Sequence, residues 1–310
     1  MNNISKKIFL TGHNGLVGSS FKKILSKNKN IKIFTQNRSE LDLFNFENLE
    51  NYIKKIKPNY IINCAAKVGG IEANQRDQYA FFLENYNIQQ NLIKISISNK
   101  IDKLILLGSS CIYGNNFLRP IKESQISFSN LESTNEGYSL SKLIGYKLLD
   151  YANKQYGLDY LHIMPCNIFG ENSDFNSTNS HVLEALVRKL ILSKKINSKE
   201  VVIWGDGLNR REFITAKNLA INTVNLLEKN FSGTYNVGLG YDFSIKQLIQ
   251  IIKKNINHNP KIIFDRKKPK GTYRKVLNLS KIKKTGCYLP CDFNKELKSF
   301  ISLAEKKFLY

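Results

Sequence analysis

Short apolar runs alternate with longer segments whose apolar positions recur every three or four residues. The runs at 8–11, 31–34, 60–66 and 104–107 are nearly continuous in Ile, Leu, Phe, Tyr and small residues. They are too short for helices and predict buried strands. Between them the spacing predicts an amphipathic helix from residue 16 to about 25 and a long helix over about 73–99. Further strands are expected at 161–164 and 233–238. Strands and helices in alternation imply an α/β fold with a doubly wound parallel sheet, whose ligands lie at the carboxyl ends of the strands.

After residue 169 the pattern changes. Helices are predicted at 182–193, 219–229, 243–255 and 294–308, and strands at 201–204 (edge-like, before a Gly-Asp-Gly turn) and 261–264, with a basic loop at 267–275. This organisation predicts two units. Residues 1–168 with about 216–239 form the dinucleotide-binding one, and about 169–215 with 240–310 form a smaller, discontinuous substrate-binding one.

The first strand runs into Gly12-His13-Asn14-Gly15-Leu16-Val17-Gly18. Three glycines between a strand and a helix let the turn close and let a pyrophosphate approach the backbone at the helix N-terminus. After the second strand a free ribose 2′-hydroxyl would call for an acidic residue. The chain offers Thr35-Gln36-Asn37-Arg38 instead, so Arg38 is expected to pair with a 2′-phosphate and the cofactor to be NADP(H). Asp42 and Leu43 would flank the adenine, and Ala65 ends a strand where a cofactor can lie close.

The fourth strand ends at Leu107 and leads into Gly108-Ser109-Ser110-Cys111-Ile112-Tyr113. A helix then opens at Tyr138-Ser139-Leu140-Ser141-Lys142. A Tyr and a Lys four apart share one helical face. The ammonium favours the phenolate, which makes the Tyr a usable acid-base group, and Ser109 can hold the oxygen it protonates.

Composition narrows the partners. The net charge is +22, from 47 basic and 25 acidic residues, but the lysines are scattered over polar helix faces without an arginine-rich stripe or zinc-finger spacing. No nucleic-acid or membrane partner is expected, whereas a positive field suits an anionic nucleotide substrate. Five cysteines far apart, with no Cys-x-x-Cys pair, fit a reducing cytoplasm and no metal site. No apolar stretch reaches the length of a membrane span.

The glycine pattern, Ser109 and Tyr138-x-x-x-Lys142 resemble an extended short-chain dehydrogenase/reductase of Rossmann type. The strings 65–71 (Ala-Ala-Lys-Val-Gly-Gly-Ile), 108–113, Thr134-Asn135-Glu136, Asn179-Ser180-His181-Val182 and Arg211-Glu212-Phe213 narrow the likeness to the GDP-L-fucose synthase family, from about residue 6 to the C-terminus. The resemblance implies that Tyr138 protonates the C4 oxygen of a GDP-4-keto sugar reduced by NADPH. Lys142 would hold the nicotinamide ribose and lower the phenol pKa, and Ser109 would bond the keto oxygen. Cys111 and His181 would epimerise C3 and C5, which is reasonable because protons beside a carbonyl are acidic. Leu107, Pro165, Asn167, Ile168 and His181 would line the cofactor. Ser110, Asn135, Lys189, Trp204, Arg211 and Lys270 would line the substrate, with Lys189, Trp204 and Arg211 against GDP.

A homodimer is implied, joined through the 73–99 helix and the Tyr138 helix. Asn14 stands where Arg often helps hold the 2′-phosphate, which leaves Arg38 to carry the NADP(H) expectation. Three other departures leave a second version open: Lys270 stands where the family commonly has Asp, and Gly114 and Gly137 where it has Pro. The two glycines are expected to loosen the backbone near the sugar. In that version the chain is a C4 reductase alone, acting on another GDP-4-keto sugar such as a heptose for surface polysaccharide.

Overall fold

A computed structural model of the chain describes residues 6–114, 119–175, 180–267 and 271–309. The first unit of chain runs β1 (Lys6–Thr11), α1 (Leu16–Leu25), β2 (Ile31–Phe34), α2 (Phe46–Ile56), β3 (Tyr60–Asn63), α3 (Ile71–Arg76), α4 (Gln78–Ser98), β4 (Lys103–Leu107), α5 (Glu136–Tyr156) and β5 (Tyr160–Pro165). There follow β6 (Asn167–Phe169), α6 (Val182–Lys195), β7 (Glu200–Trp204), β8 (Arg210–Arg211), β9 (Phe213–Thr215), α7 (Ala216–Glu228) and β10 (Gly233–Val237). The chain ends with β11 (Phe243–Ser244), α8 (Ile245–Ile256), β12 (Lys261–Asp265), β13 (Arg274–Lys275), α9 (Ser280–Lys284) and α10 (Phe293–Leu309).

Six strands form the main sheet in the order β10-β5-β4-β3-β1-β2, and every neighbouring pair is parallel. The chain moves outward from β1 to β2 and then returns to β3 on the other side of β1. The crevice above β1 and β3 is therefore the switch point where such sheets take their ligands. Successive residues alternate between the two faces. Ile8 and Leu10 pack with Phe21, Leu25 and Leu219, whereas Phe9 packs on the opposite face with Leu49, Ile53 and Leu92. Both faces are covered by helices, which is why these strands read as apolar runs.

A second apolar core gathers α6, α8, α10, β7 and the ends of β6 and β9. Its centre is aromatic: Phe169 meets Phe213, Phe293 and Phe300 edge to face at centroid distances of 5.3–6.5 Å. Strand β7 is not an edge of the main sheet. It pairs with β12 in a separate two-stranded parallel sheet.

Two expectations change. The run at 60–66 is strand only through Asn63, because the chain must leave the sheet there to pass the glycine loop. The long helix breaks at Asp77, which has φ −118° and ψ 31° and binds the Arg76 guanidinium. The break aims the first turn of α4 at the start of α5. There Gln78 accepts from Gly137 N–H at 3.0 Å and donates to Ser133 O at 3.1 Å. A Cβ at Gly137 would lie 2.4 Å from Gln78 O, and Gly114 sits at φ +70°. Both glycines are thus required by close packing or by the left-handed backbone, and they do not act as loosened hinges.

Among the described residues no helix is long and apolar enough to cross a membrane. Lys103, 1% exposed at the start of β4, donates to Asn230 Oδ1 and Phe231 O at 2.9 and 2.8 Å and pairs with Asp159 at 3.0 Å. It closes the C-terminal end of α7 onto the sheet. Lys103→Met leaves these acceptors without their cation. We expect a loss of about 2–4 kcal/mol in urea unfolding.

Candidate active site

The glycine loop folds back on the sheet. Gly12 has φ +64°, and a Cβ there would lie 2.6 Å from Ala65 N; one on Gly18 would lie 2.1 Å from Gly12 O. Helix α1 starts after Gly15 with no side-chain cap. The first-turn amides of Leu16, Val17 and Gly18 have no acceptor within the helix and carry its positive dipole end. A side-chain-free turn beneath open amides fits a pyrophosphate. Asn14 donates to Asn37 Oδ1 at 2.9 Å, which sets the loop after β2 against the glycine loop. Arg38 is exposed in that loop, its guanidinium 5.2 Å from the Phe44 ring centroid. Asp42 is exposed and Leu43 half-buried in the turn beyond. His13 is 8% exposed, and burial together with the Lys22 charge holds its pKa down.

At the end of β4, Ser109 Oγ accepts from Cys111 N–H at 3.2 Å and so caps a short turn over Ser110–Tyr113. The same hydroxyl acts on the Tyr138 phenol, pulling its pKa down. Asn135 Nδ2 donates to Cys111 Sγ at 3.3 Å, and Ser139 Oγ donates to Asn135 Oδ1 at 3.1 Å. Lys142 Nζ donates to Leu107 O at 2.9 Å and lies 5.8 Å from the Tyr138 ring centroid. Ser109, Cys111, Asn135, Tyr138 and Lys142 therefore converge from β4 and α5.

Burial dominates the electrostatics. It raises the Tyr138 phenol above its ordinary value, the Cys111 charge adds to this, and the Ser109 hydroxyl opposes it. Burial also brings Lys142 down to about 8, against the opposing pull of Cys64. The expected lowering of the phenol by Lys142 does not act here, and burial sets the direction. A neutral phenol is the form that can donate a proton. His162, fully buried and stacked on Tyr146 at 5.6 Å, is pushed down to about 3 by burial and by Lys142. It stays neutral and adds no second charge beside the lysine.

Farther out, Lys189 Nζ donates to Val202 O at 3.0 Å and lies 5.8 Å from the Trp204 ring, which is 41% exposed. Arg211 Nη1 donates to Arg210 O and Thr272 O at 2.8 and 2.6 Å, and its charge acts on Glu132 and Cys111. Pro165 closes β5 and is buried. Asn167 and Ile168 lie in β6, where Asn167 Nδ2 donates to Glu212 O at 2.9 Å. His181 is the exposed N-cap residue of α6. Its ring makes no capping bond, and its charge acts on Glu184. Among the described residues no hydrogen bond joins His181 to Cys111. Lys270 lies outside the described residues. No cluster of His, Cys, Asp or Glu among the described residues is placed to hold a metal.

Two buried carboxylates escaped sequence reasoning. Glu212 accepts from Gly240 N–H and Leu277 N–H, both at 2.7 Å, and burial raises it to about 7 against those bonds. Glu132 accepts from Thr134 Oγ1 at 2.9 Å, Thr272 N–H at 3.1 Å, Thr272 Oγ1 at 2.7 Å and Lys275 Nζ at 3.1 Å. The string Arg211-Glu212-Phe213 pointed near the first; nothing in the polar loop around Glu132 marked the second.

Burial alone would raise Glu132, but the Lys275 charge and the Thr272, Thr134 and Lys275 bonds outweigh it and hold the group at about 2, below its ordinary 4.5. A depressed folded pKa gives stability that is present above the unfolded value and lost as pH falls through the folded one. This amounts to on the order of 3 kcal/mol. Glu132→Gln should therefore flatten the acid side of the stability curve between pH 4.5 and 2, as read by urea midpoints at each pH.

The family model for the NAD dependent epimerase/dehydratase family matches residues 8–238. The GDP-L-fucose synthase of Escherichia coli K12 is 34% identical over 293 residues, covering 91% of each chain. A GDP-6-OMe-4-keto-L-xylo-heptose reductase from Campylobacter jejuni superposes with a TM-score of 0.91 at 26% identity, over 99% of both chains. A GDP-mannoheptose C4 reductase from the same organism, solved with NADP bound, gives 0.88 at 26% identity, over 98% of this chain and 99% of that one.

Proposed function

Since the chain belongs to the NAD dependent epimerase/dehydratase family, we propose that it reduces the C4 ketone of a GDP-4-keto-6-deoxy sugar with NADPH and also epimerises C3 and C5. The observation that carries this reading is the convergence of Ser109, Tyr138 and Lys142 at the end of β4, with Cys111 and Asn135 beside them. The sequence likeness to GDP-L-fucose synthases and the fold likeness to GDP-heptose reductases support the substrate class.

The glycine loop amides and Ala65 face the dinucleotide, Arg38 takes the 2′-phosphate, and Asp42 and Leu43 flank the adenine. His13, Leu107, Pro165, Asn167, Ile168 and Lys142 shape the remaining cofactor wall. NADPH, when bound, supplies hydride to C4. Ser109 holds the ketone oxygen, and Tyr138 gives that oxygen its O–H proton, so one hydride and one proton convert C=O to CH–OH. Before reduction, Cys111 as thiolate removes a proton from carbon next to the ketone. His181 returns one on the opposite face, which inverts the centre. Asn135 keeps the sulfur aimed, while Lys189, Trp204 and Arg211 take the GDP end.

A second reading, C4 reduction without epimerisation on a GDP-heptose, is supported by the fold likeness to a heptose reductase, with a TM-score of 0.91. We also place the protein in the reducing cytoplasm, all five cysteines being free. We further propose that it dimerises through α4 and α5, whose Tyr79 and Tyr151 are exposed. The two sequence units are proposed as the cofactor and substrate domains.

Incubation with GDP-4-keto-6-deoxymannose and NADPH in D2O, followed by NMR of the product, tests both readings. We expect deuterium at C3 and C5 together with C4 reduction. Reduction without deuterium selects the second reading, and no turnover of keto hexoses or heptoses sinks both. Tyr138→Phe should lower kcat by about 10²–10⁴-fold. Arg38→Ala should lower kcat/KM for NADPH by about 10-fold or more, with little effect on NADH.

A further inference from the structure

Glu132 sits where three parts of the site meet. Its backbone carbonyl accepts from Asn135 N–H at 3.0 Å, and Asn135 in turn donates to Cys111 Sγ. Glu132 is 8% exposed, and its side chain holds Thr272 twice and Lys275 once, so the 271–275 segment hangs from this carboxylate. Arg211 completes the group, because its Nη1 donates to Thr272 O at 2.6 Å. A side chain on Gly271 would meet Glu132 Oε1 at 2.7 Å and Arg211 Nη2 at 3.3 Å, so the carboxylate and the guanidinium flank the same glycine. The Glu132 carboxylate thus pairs with the buried Lys275 ammonium, and its charge also acts on the half-buried Arg211 guanidinium.

We propose that Glu132 is a positioning residue: it fastens the 271–275 segment and Arg211 to the turn that carries Asn135. The nucleotide-diphosphate end of the site and the Cys111–Tyr138 end are thereby held at one fixed separation. This rests on the GDP-sugar reading above. Glu132 touches neither substrate nor cofactor in this account. It acts through Arg211, whose acceptor Thr272 O belongs to the segment it holds, and through Asn135.

The sign of the effect on binding separates positioning from charge. Removing the carboxylate takes one negative charge from beside Arg211 and Lys275, and Coulomb attraction alone would then tighten the grip on a diphosphate. Displacing Arg211 and the 271–275 segment would loosen it.

The experiment measures GDP binding by calorimetry and NADPH binding by fluorescence on the full chain. The proteins compared are wild type, Glu132→Gln, Lys275→Met and the double variant, each with its melting temperature. In Glu132→Gln, GDP should bind about tenfold more weakly while the NADPH Kd stays within about twofold. In the double variant no cation is left facing a missing partner across Lys275, so the melting temperature should recover. GDP should nevertheless bind about tenfold more weakly to it than to Lys275→Met alone. Equal or tighter GDP binding in Glu132→Gln, or equal binding in the double variant and Lys275→Met, overturns the positioning role. No GDP binding by the wild-type protein overturns the substrate reading on which the role depends.

Discussion

The bond from Lys142 to the Leu107 carbonyl organises the site. Strand β4 is buried throughout, and its last residue, Leu107, lies one step beyond the end of the β3 pairing at Asn63–Leu106. A buried carbonyl without a donor is costly, and the ammonium of Lys142, 2% exposed, meets it at 2.9 Å. The same bond fixes α5 against the carboxyl end of β4. Tyr138, one turn earlier, then reaches Ser109, which is two residues past Leu107. One interaction therefore satisfies the strand end, sets the helix register and aims the phenol. Desolvation draws Lys142 down to about 8 but leaves it mainly protonated at neutral pH.

Carboxylates join the second core to this frame. Asp242 takes Arg210 at 2.7 Å and Arg274 at 2.5 Å and so ties β8 and β13 to the chain before β11. Glu212 holds the chain after β10 and the start of the segment at Leu277, while Glu132 holds 271–275. These connections lie between β5 and β10 on one side and the aromatic cluster on the other. In a chain with a +22 formal charge, the few acidic residues do disproportionate structural work because each neutralises cations that would otherwise repel one another. Buried, hydrogen-bonded carboxylates also resist displacement, since breaking one leaves charge in a poorly solvating place.

The sequence by itself determined much of this protein. Continuous apolar runs set β1, β4 and β5, because a strand covered on both faces must be apolar throughout. Three glycines between a strand and a helix announced the pyrophosphate turn, because no side chain fits there. The Tyr138–Lys142 spacing placed both groups on one face through helix geometry alone. Tertiary structure decided the rest. Asp77 breaks a helix that has no Pro or Gly because the first turn of α4 must dock on Gly137. Gly114 and Gly137 look permissive in sequence and prove obligatory only when their neighbours across space are known. Burial, which one dimension does not record, raises Tyr138 where sequence spacing to Lys142 predicted lowering. Glu132 carries no local signature, since its partners Thr272 and Lys275 lie about 140 residues away and are brought to it only by the fold.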